Sequence, residues 1–158
     1  EQGGAQMVYH GMSEEVVKNI MRYPFNMIAS DAGIAVMGAG KPHPRAYGTN
    51  SRVLGKYVRE DKLLDLHSAI TKMTLLPAKR LESIAPSMHQ KGRIQVGADA
   101  DITIFNADKI IDKASFDKGL AFSEGVEFVI VNGTLVLKNG KTVNGVFPGK
   151  AIVGKFKK

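Results

Sequence analysis

The stretch "FNMIASDAG", Phe25–Gly33, decides how the rest of the chain is read. A short, mostly apolar run ends abruptly at an aspartate and passes into a glycine-rich loop. The run follows Pro24, which closes whatever helix precedes it, so the local pattern predicts a strand over 25–30. Asp31 then stands at the carboxyl end of that strand. In α/β folds, that end is where sites are built. The loop beyond it runs through "GIAVMGAGK" to "PHPRAYGT", Pro42–Thr49, which brings His43 and Arg45 into the same neighbourhood.

Upstream, "SEEVVKNIMRY" predicts a helix capped by Ser13, with Glu14 and Glu15 in the first turn where the helix dipole favours acids. Val16, Val17, Ile20 and Met21 are expected on its inner side. Downstream, "NSRVLGKYVRE" and "LHSAITKMT" read as amphipathic helices. The first presents Val53, Leu54, Tyr57 and Val58; the second presents Leu66, Ala69, Ile70 and Met73. "LPAKRLESI" starts a further short helix with Pro77 in its first turn.

From Gly92 the pattern turns to strand. "ADITIFN" alternates, and "VEFVIVNGTLVLKNGKTV" holds two Asn-Gly pairs, Asn132-Gly133 and Asn139-Gly140, between β-rich runs. Asn-Gly supplies the two positive φ angles of a tight hairpin turn, so a β meander is expected. The fold class is α/β plus β, in two units divided within 84–97: residues 1–91 and residues 92–158. Asp99 and Asp101 of "GADAD" read as turn-shaping residues at the entry to the first strand.

Composition narrows the function. At 158 residues, 44% hydrophobic and 23% charged, the chain suits one soluble globular domain. Its apolar runs fall far short of the roughly 20 residues of a membrane helix, and no leader is visible in "EQGGAQMVYHG". Cysteine is absent, which excludes disulfides and makes the cytoplasm the default location. Of the net charge of +7, Lys141, Lys150, Lys155, Lys157 and Lys158 supply five in a terminal stretch without acids. That is a solvated basic tail; no nucleic-acid motif accompanies it, and neither nucleic acid nor membrane is expected as a partner.

Taken together, "MIASDAG", "KPHPRAYGTNSRVLGKYVRE", "AITKMTLLPAKRL", "KGRIQVGADADITIFN" and "VEFVIVNGTLVLKNGK" resemble, in order, the C-terminal part of the D-aminoacylases. These are N-acyl-D-amino-acid deacylases of the metal-dependent amidohydrolase superfamily. The likeness runs from about Met12 to Gly149. It implies the C-terminal end of a (β/α)8 amidohydrolase barrel over 1–91, followed by the C-terminal share of a small β-sandwich over 92–158.

The resemblance also implies roles. Asp31 matches the aspartate beside the metal, either next to the zinc or a weak ligand of it. There it serves as general base toward zinc-bound water and then as proton donor to the leaving nitrogen, a task a carboxylate can perform because zinc lowers the water's pKa toward about 7. Arg45 matches the arginine that binds the substrate's α-carboxylate through a paired hydrogen-bond fork, and His43 supports the same loop. The loop itself departs from the family's usual form: Ala32 and Gly33 stand where many members have glycine directly, and "GIAVMGAGK" is longer and less polar.

One or two zinc ions need a His-x-His pair and further ligands, yet the only histidines are His10, His43, His67 and His89, none so spaced. The expectation is therefore a C-terminal part of a longer enzyme, inactive alone, that packs against its missing N-terminal part or forms a homo-oligomer. Two other readings remain open. One is a cyclic-amide amidohydrolase of the dihydropyrimidinase type, against which the "PHPR" block speaks. The other is a non-catalytic, β-rich binding or assembly module.

Overall fold

Ser13 opens the first helix in the computed structural model, which describes residues 9–155. Residues 1–8 of the stretch read for a leader, and Lys157 and Lys158 of the basic tail, lie outside the described residues. The Ser13 Oγ accepts from the Val16 amide at 3.3 Å, and helix α1 spans Glu14–Arg22. Val17 and Met21 pack on the core, whereas Val16 and Ile20 face outward. The expected four-residue face is therefore split into two i,i+4 rows about 100° apart, and among the described residues only one of them packs on the core.

Pro24 and Phe25 form a turn, after which 26–30 has no regular secondary structure; burial alternates along it, with Asn26, Ile28 and Ser30 half-buried while Phe25, Met27 and Ala29 are exposed. This is the side-chain pattern of a strand. It is not a strand, however, because no ladder forms along it among the described residues. A parallel strand takes its hydrogen bonds from neighbours on either side, and the adjoining segments of this chain are helices. What holds the segment instead is Lys72. Its buried ammonium donates to the Tyr23 carbonyl at 2.5 Å and to the Asn26 side chain, and its carbonyl accepts from the Ile28 amide at 3.1 Å.

Helix α2, Arg45–Arg52, runs directly into a π-helical stretch, Val53–Glu60. The residues expected inside are inside: Val53, Leu54 and Tyr57 are buried and Val58 half-buried. The winding differs from the α-helix that the periodicity predicts. Its wider turn sets Gly55 against the backbone of Ile110 and Ile111, where a Cβ would stand 2.5 Å from the Ile110 oxygen. Helix α3, Leu66–Met73, is capped by Asp65, whose Oδ1 accepts from the Ser68 amide at 2.8 Å. It buries Ala69 completely and Met73 in part but leaves Leu66 and Ile70 more than a third exposed. Helix α4, Leu75–Leu81, and a 3-10 turn, Pro86–Gln90, complete the helical part.

The entry to the sheet is clamped by Lys91, which pairs with Asp99 at 3.0 Å and Asp101 at 2.5 Å. Strands β1 (Ile102–Phe105), β2 (Val126–Val131), β3 (Thr134–Lys138) and β4 (Lys141–Thr142) form one antiparallel sheet in the order β1-β2-β3-β4. Both hairpin turns are the Asn-Gly pairs. Asn132 and Gly133 have φ of 48° and 77°, and Asn139 and Gly140 have 51° and 73°, the two positive angles of a type I′ turn.

The main core draws on both halves: Val53, Leu54, Tyr57 and Ala69 from the helices pack with Ile110, and Phe105 and Val126 of the sheet close over them. Where a barrel end is expected, the described residues show helices and a segment without a ladder, and where a sandwich is expected they show a single sheet. Among the described residues, no helix is long and apolar enough to cross a membrane.

Candidate functional site

The segment 25–30 ends at Asp31, whose φ of 47° lies in the left-handed region that aspartate tolerates better than most residues. The turn projects its carboxylate into solvent, with the side chain 88% exposed. The chain then crosses 32–44, with positive φ at Gly38 and Gly40, and re-enters a helix at Arg45. Arg45 is the first residue of α2, and its Nη2 lies 3.1 Å from the Asp31 Oδ2. The two residues that sequence reasoning places at the site are thus brought together as an ion pair.

His43 joins them through the backbone. The Arg45 amide, one of the unpaired N–H groups at a helix start, donates to the His43 Nδ1 at 3.1 Å. Desolvation lowers the His43 pKa below its ordinary 6.5, and the positive charges of Arg45 and His10 push the same way. A neutral ring is also what the hydrogen bond requires, since Nδ1 must keep its lone pair.

Between the helices and the sheet lies a cleft of about 670 Å³, lined by Ser30, Arg45, Asn50 and Met73 on one side and by Thr103 and Val129 on the other. Arg45 therefore borders a space large enough for a small organic molecule. Sequence reasoning missed Tyr47, Phe116 and Gly119, which abut the His43–Arg45 stretch. Only the aromatic residue directly inside "PHPRAYGT" offered a signal; the other two lie far along the chain.

Among the described residues, no three His, Asp or Glu side chains converge in a way that could hold an ion. The Asp31 carboxylate is engaged by Arg45, and the His43 Nδ1 by an amide. His67 and His89 are exposed and distant in sequence from this group.

The sequence profile of the amidohydrolase family matches residues 5–137. The N-acyl-D-glutamate deacylase of Alcaligenes xylosoxydans xylosoxydans is 40% identical over 132 residues, which cover 84% of this chain and 25% of that protein. A D-aminoacylase structure, described through its binuclear metal centre, superposes with a TM-score of 0.75 at 32% identity, over 84% of this chain and 26% of its own. The N-acyl-D-glutamate deacylase of Bordetella bronchiseptica, solved with zinc and a phosphonate mimic of the tetrahedral intermediate, gives a TM-score of 0.70 at 38% identity, over 83% and 27%. The chain spans about a quarter of the length of the relatives it matches.

Proposed function

This chain belongs to the amidohydrolase family, in its D-aminoacylase branch, and we propose that it is the C-terminal part of a zinc-dependent amide hydrolase that deacylates N-acyl-D-amino acids. Residues 1–91 would complete the barrel, where 25–30 would find its ladder neighbours, and 92–158 would close the small β-sandwich. The remaining polypeptide is the main partner. Exposed apolar side chains such as Ile34, Val36 and Phe147 support burial against it or against a second copy. The reading carries a cytoplasmic location.

The observation that carries it is the 3.1 Å pairing of Asp31 with Arg45. In an N-acyl amino acid, the scissile nitrogen and the α-carboxylate hang on the same carbon. The groups that serve them must therefore be neighbours, and a carboxylate base beside a guanidinium fork meets that demand. Asp31 takes a proton from the attacking water and returns it to the leaving nitrogen. Arg45 exchanges Asp31 for the substrate carboxylate, and His43 keeps the α2 start in place. The zinc of this reading, one ion or two, has to be held by side chains from the rest of the polypeptide, and this chain alone is inactive.

The test is the complete polypeptide with Asp31→Asn, assayed on N-acyl-D-amino acids. A loss of kcat of about a hundredfold or more is expected. Retained turnover, or turnover by residues 1–158 alone, would sink the proposal.

A further inference from the structure

The site motif leans on a segment from the other half of the chain. Between β1 and β2 the backbone makes a loop, 112–123, pinned at its neck by the antiparallel bridge of Ile111 with Glu124, in which the two amides donate to the opposite carbonyls at 3.1 Å and 3.0 Å. Four residues of the loop touch the Pro42–Tyr47 stretch. Phe116 meets the His43 ring edge-on at 5.0 Å, while His10 packs on the same Phe116 ring at 4.6 Å. Gly119 is buried so tightly that a Cβ would stand 2.1 Å from the Pro42 oxygen. Phe122 meets the Tyr47 ring at 5.5 Å, and the Ser123 Oγ donates to the Tyr47 carbonyl at 3.0 Å. Tyr47 passes the constraint on: its hydroxyl donates to the Ala35 carbonyl at 3.1 Å, inside the loop that joins Asp31 to Arg45.

We infer that loop 112–123 is the positioning element of the carboxylate-binding site, with Gly119 and Tyr47 as the positioning residues that set Arg45 relative to Asp31; this rests on the role proposed for Arg45. The Arg45 backbone is held on one side by His43, itself seated on Phe116. On the other side it is held through Tyr47, seated on Phe122 and Ser123. A side chain at Gly119 must move Pro42 and with it the His43–Arg45 unit, because the obstacle, the Pro42 carbonyl, is backbone and cannot swing aside. Removing the Tyr47 hydroxyl frees the Ala35 end of the same unit while its ring contact with Phe122 can persist. Neither residue has to touch the reacting atoms to act.

The experiment uses the complete polypeptide and two substrates, an N-acyl-D-amino acid and its primary amide, which lacks the carboxylate. Gly119→Ala and Tyr47→Phe should each raise KM for the acid about tenfold with kcat largely kept, and so erode the preference for acid over amide. Arg45→Gln, run in parallel, should abolish that preference. Should Arg45→Gln abolish it while both positioning variants keep it, or lose acid and amide rates in parallel, the inference fails and the role of Arg45 stands. Should Arg45→Gln leave the preference intact, the carboxylate role fails and takes the inference with it. If Gly119→Ala does not fold, Tyr47→Phe decides alone, with thermal unfolding as its control.

Discussion

The Arg45 guanidinium lies 3.1 Å from the Asp31 carboxylate, across a loop that Tyr47 and the 112–123 segment touch. Without a ligand, the proposed base and the proposed carboxylate receptor neutralise each other. A substrate carboxylate must displace Asp31 from the fork, and that displacement leaves Asp31 free to take a proton. Asp31→Asn in the complete polypeptide should therefore lose turnover yet bind an N-acyl-D-amino acid at least as well as the parent. The gain should be no more than about fivefold, since an exposed ion pair contributes little. Calorimetric titration checks this; markedly weaker binding would show that Asp31 does not compete for Arg45.

His43 should titrate below 6.5, because desolvation first and then the charges of Arg45 and His10 all disfavour its cation. Its folded-state pKa lies under the unfolded value. The stability it contributes is thus present above about 6.5 and lost as pH falls through the lower folded value. Protonation also places a hydrogen on Nδ1 and removes the acceptor for the Arg45 amide. Proton NMR of the ring and of the Arg45 amide should give one shared midpoint below 6.5. A midpoint at or above that value would contradict the arrangement.

Two glycines should fail for different reasons. At Gly55 a Cβ would lie 2.5 Å from the Ile110 oxygen and 2.7 Å from the Ile111 Cδ1, so Gly55→Ala should cost about 3 kcal/mol through forced repacking. At Gly133 the space is open but φ is 77°, so Gly133→Ala should cost only about 1 kcal/mol, from backbone strain. Equal shifts of the denaturation midpoint would refute the contrast.

Asp101 ties the helical half to the sheet by accepting from the Lys91 ammonium at 2.5 Å and from the Asn132 amide at 2.7 Å. Those two donors, Lys91 the larger, hold its pKa below the usual 3.8. Its stabilisation is complete above the unfolded value and fades as pH falls through the lower folded one. Asp101→Asn should lower Tm at pH 7, with the gap to the parent narrowing as pH falls below about 3.9. A gap that stays constant on acidification would mean that the charge contributes nothing.

The sequence by itself determined the features decided within a few residues. Ser13 and its acidic first turn specify a helix start, and the two Asn-Gly pairs specify hairpins, because capping bonds and positive φ angles are settled by the local chain. The family motif also pointed to Asp31, His43 and Arg45, which the structure brings together at one place. Tertiary structure alone decided the rest. The segment 25–30 carries a strand's alternation yet has no ladder, since a ladder is a property of two segments. The stretch 53–60 buries the expected residues in a π-helix, with Gly55 against Ile110 across a gap in sequence that no periodicity reveals. Phe116, Gly119, Phe122 and Ser123 were invisible as site residues for the same reason. Hydrogen bonds and rings placed tens of residues apart meet only when the chain closes on itself, and the pattern around each residue carries no record of its partner.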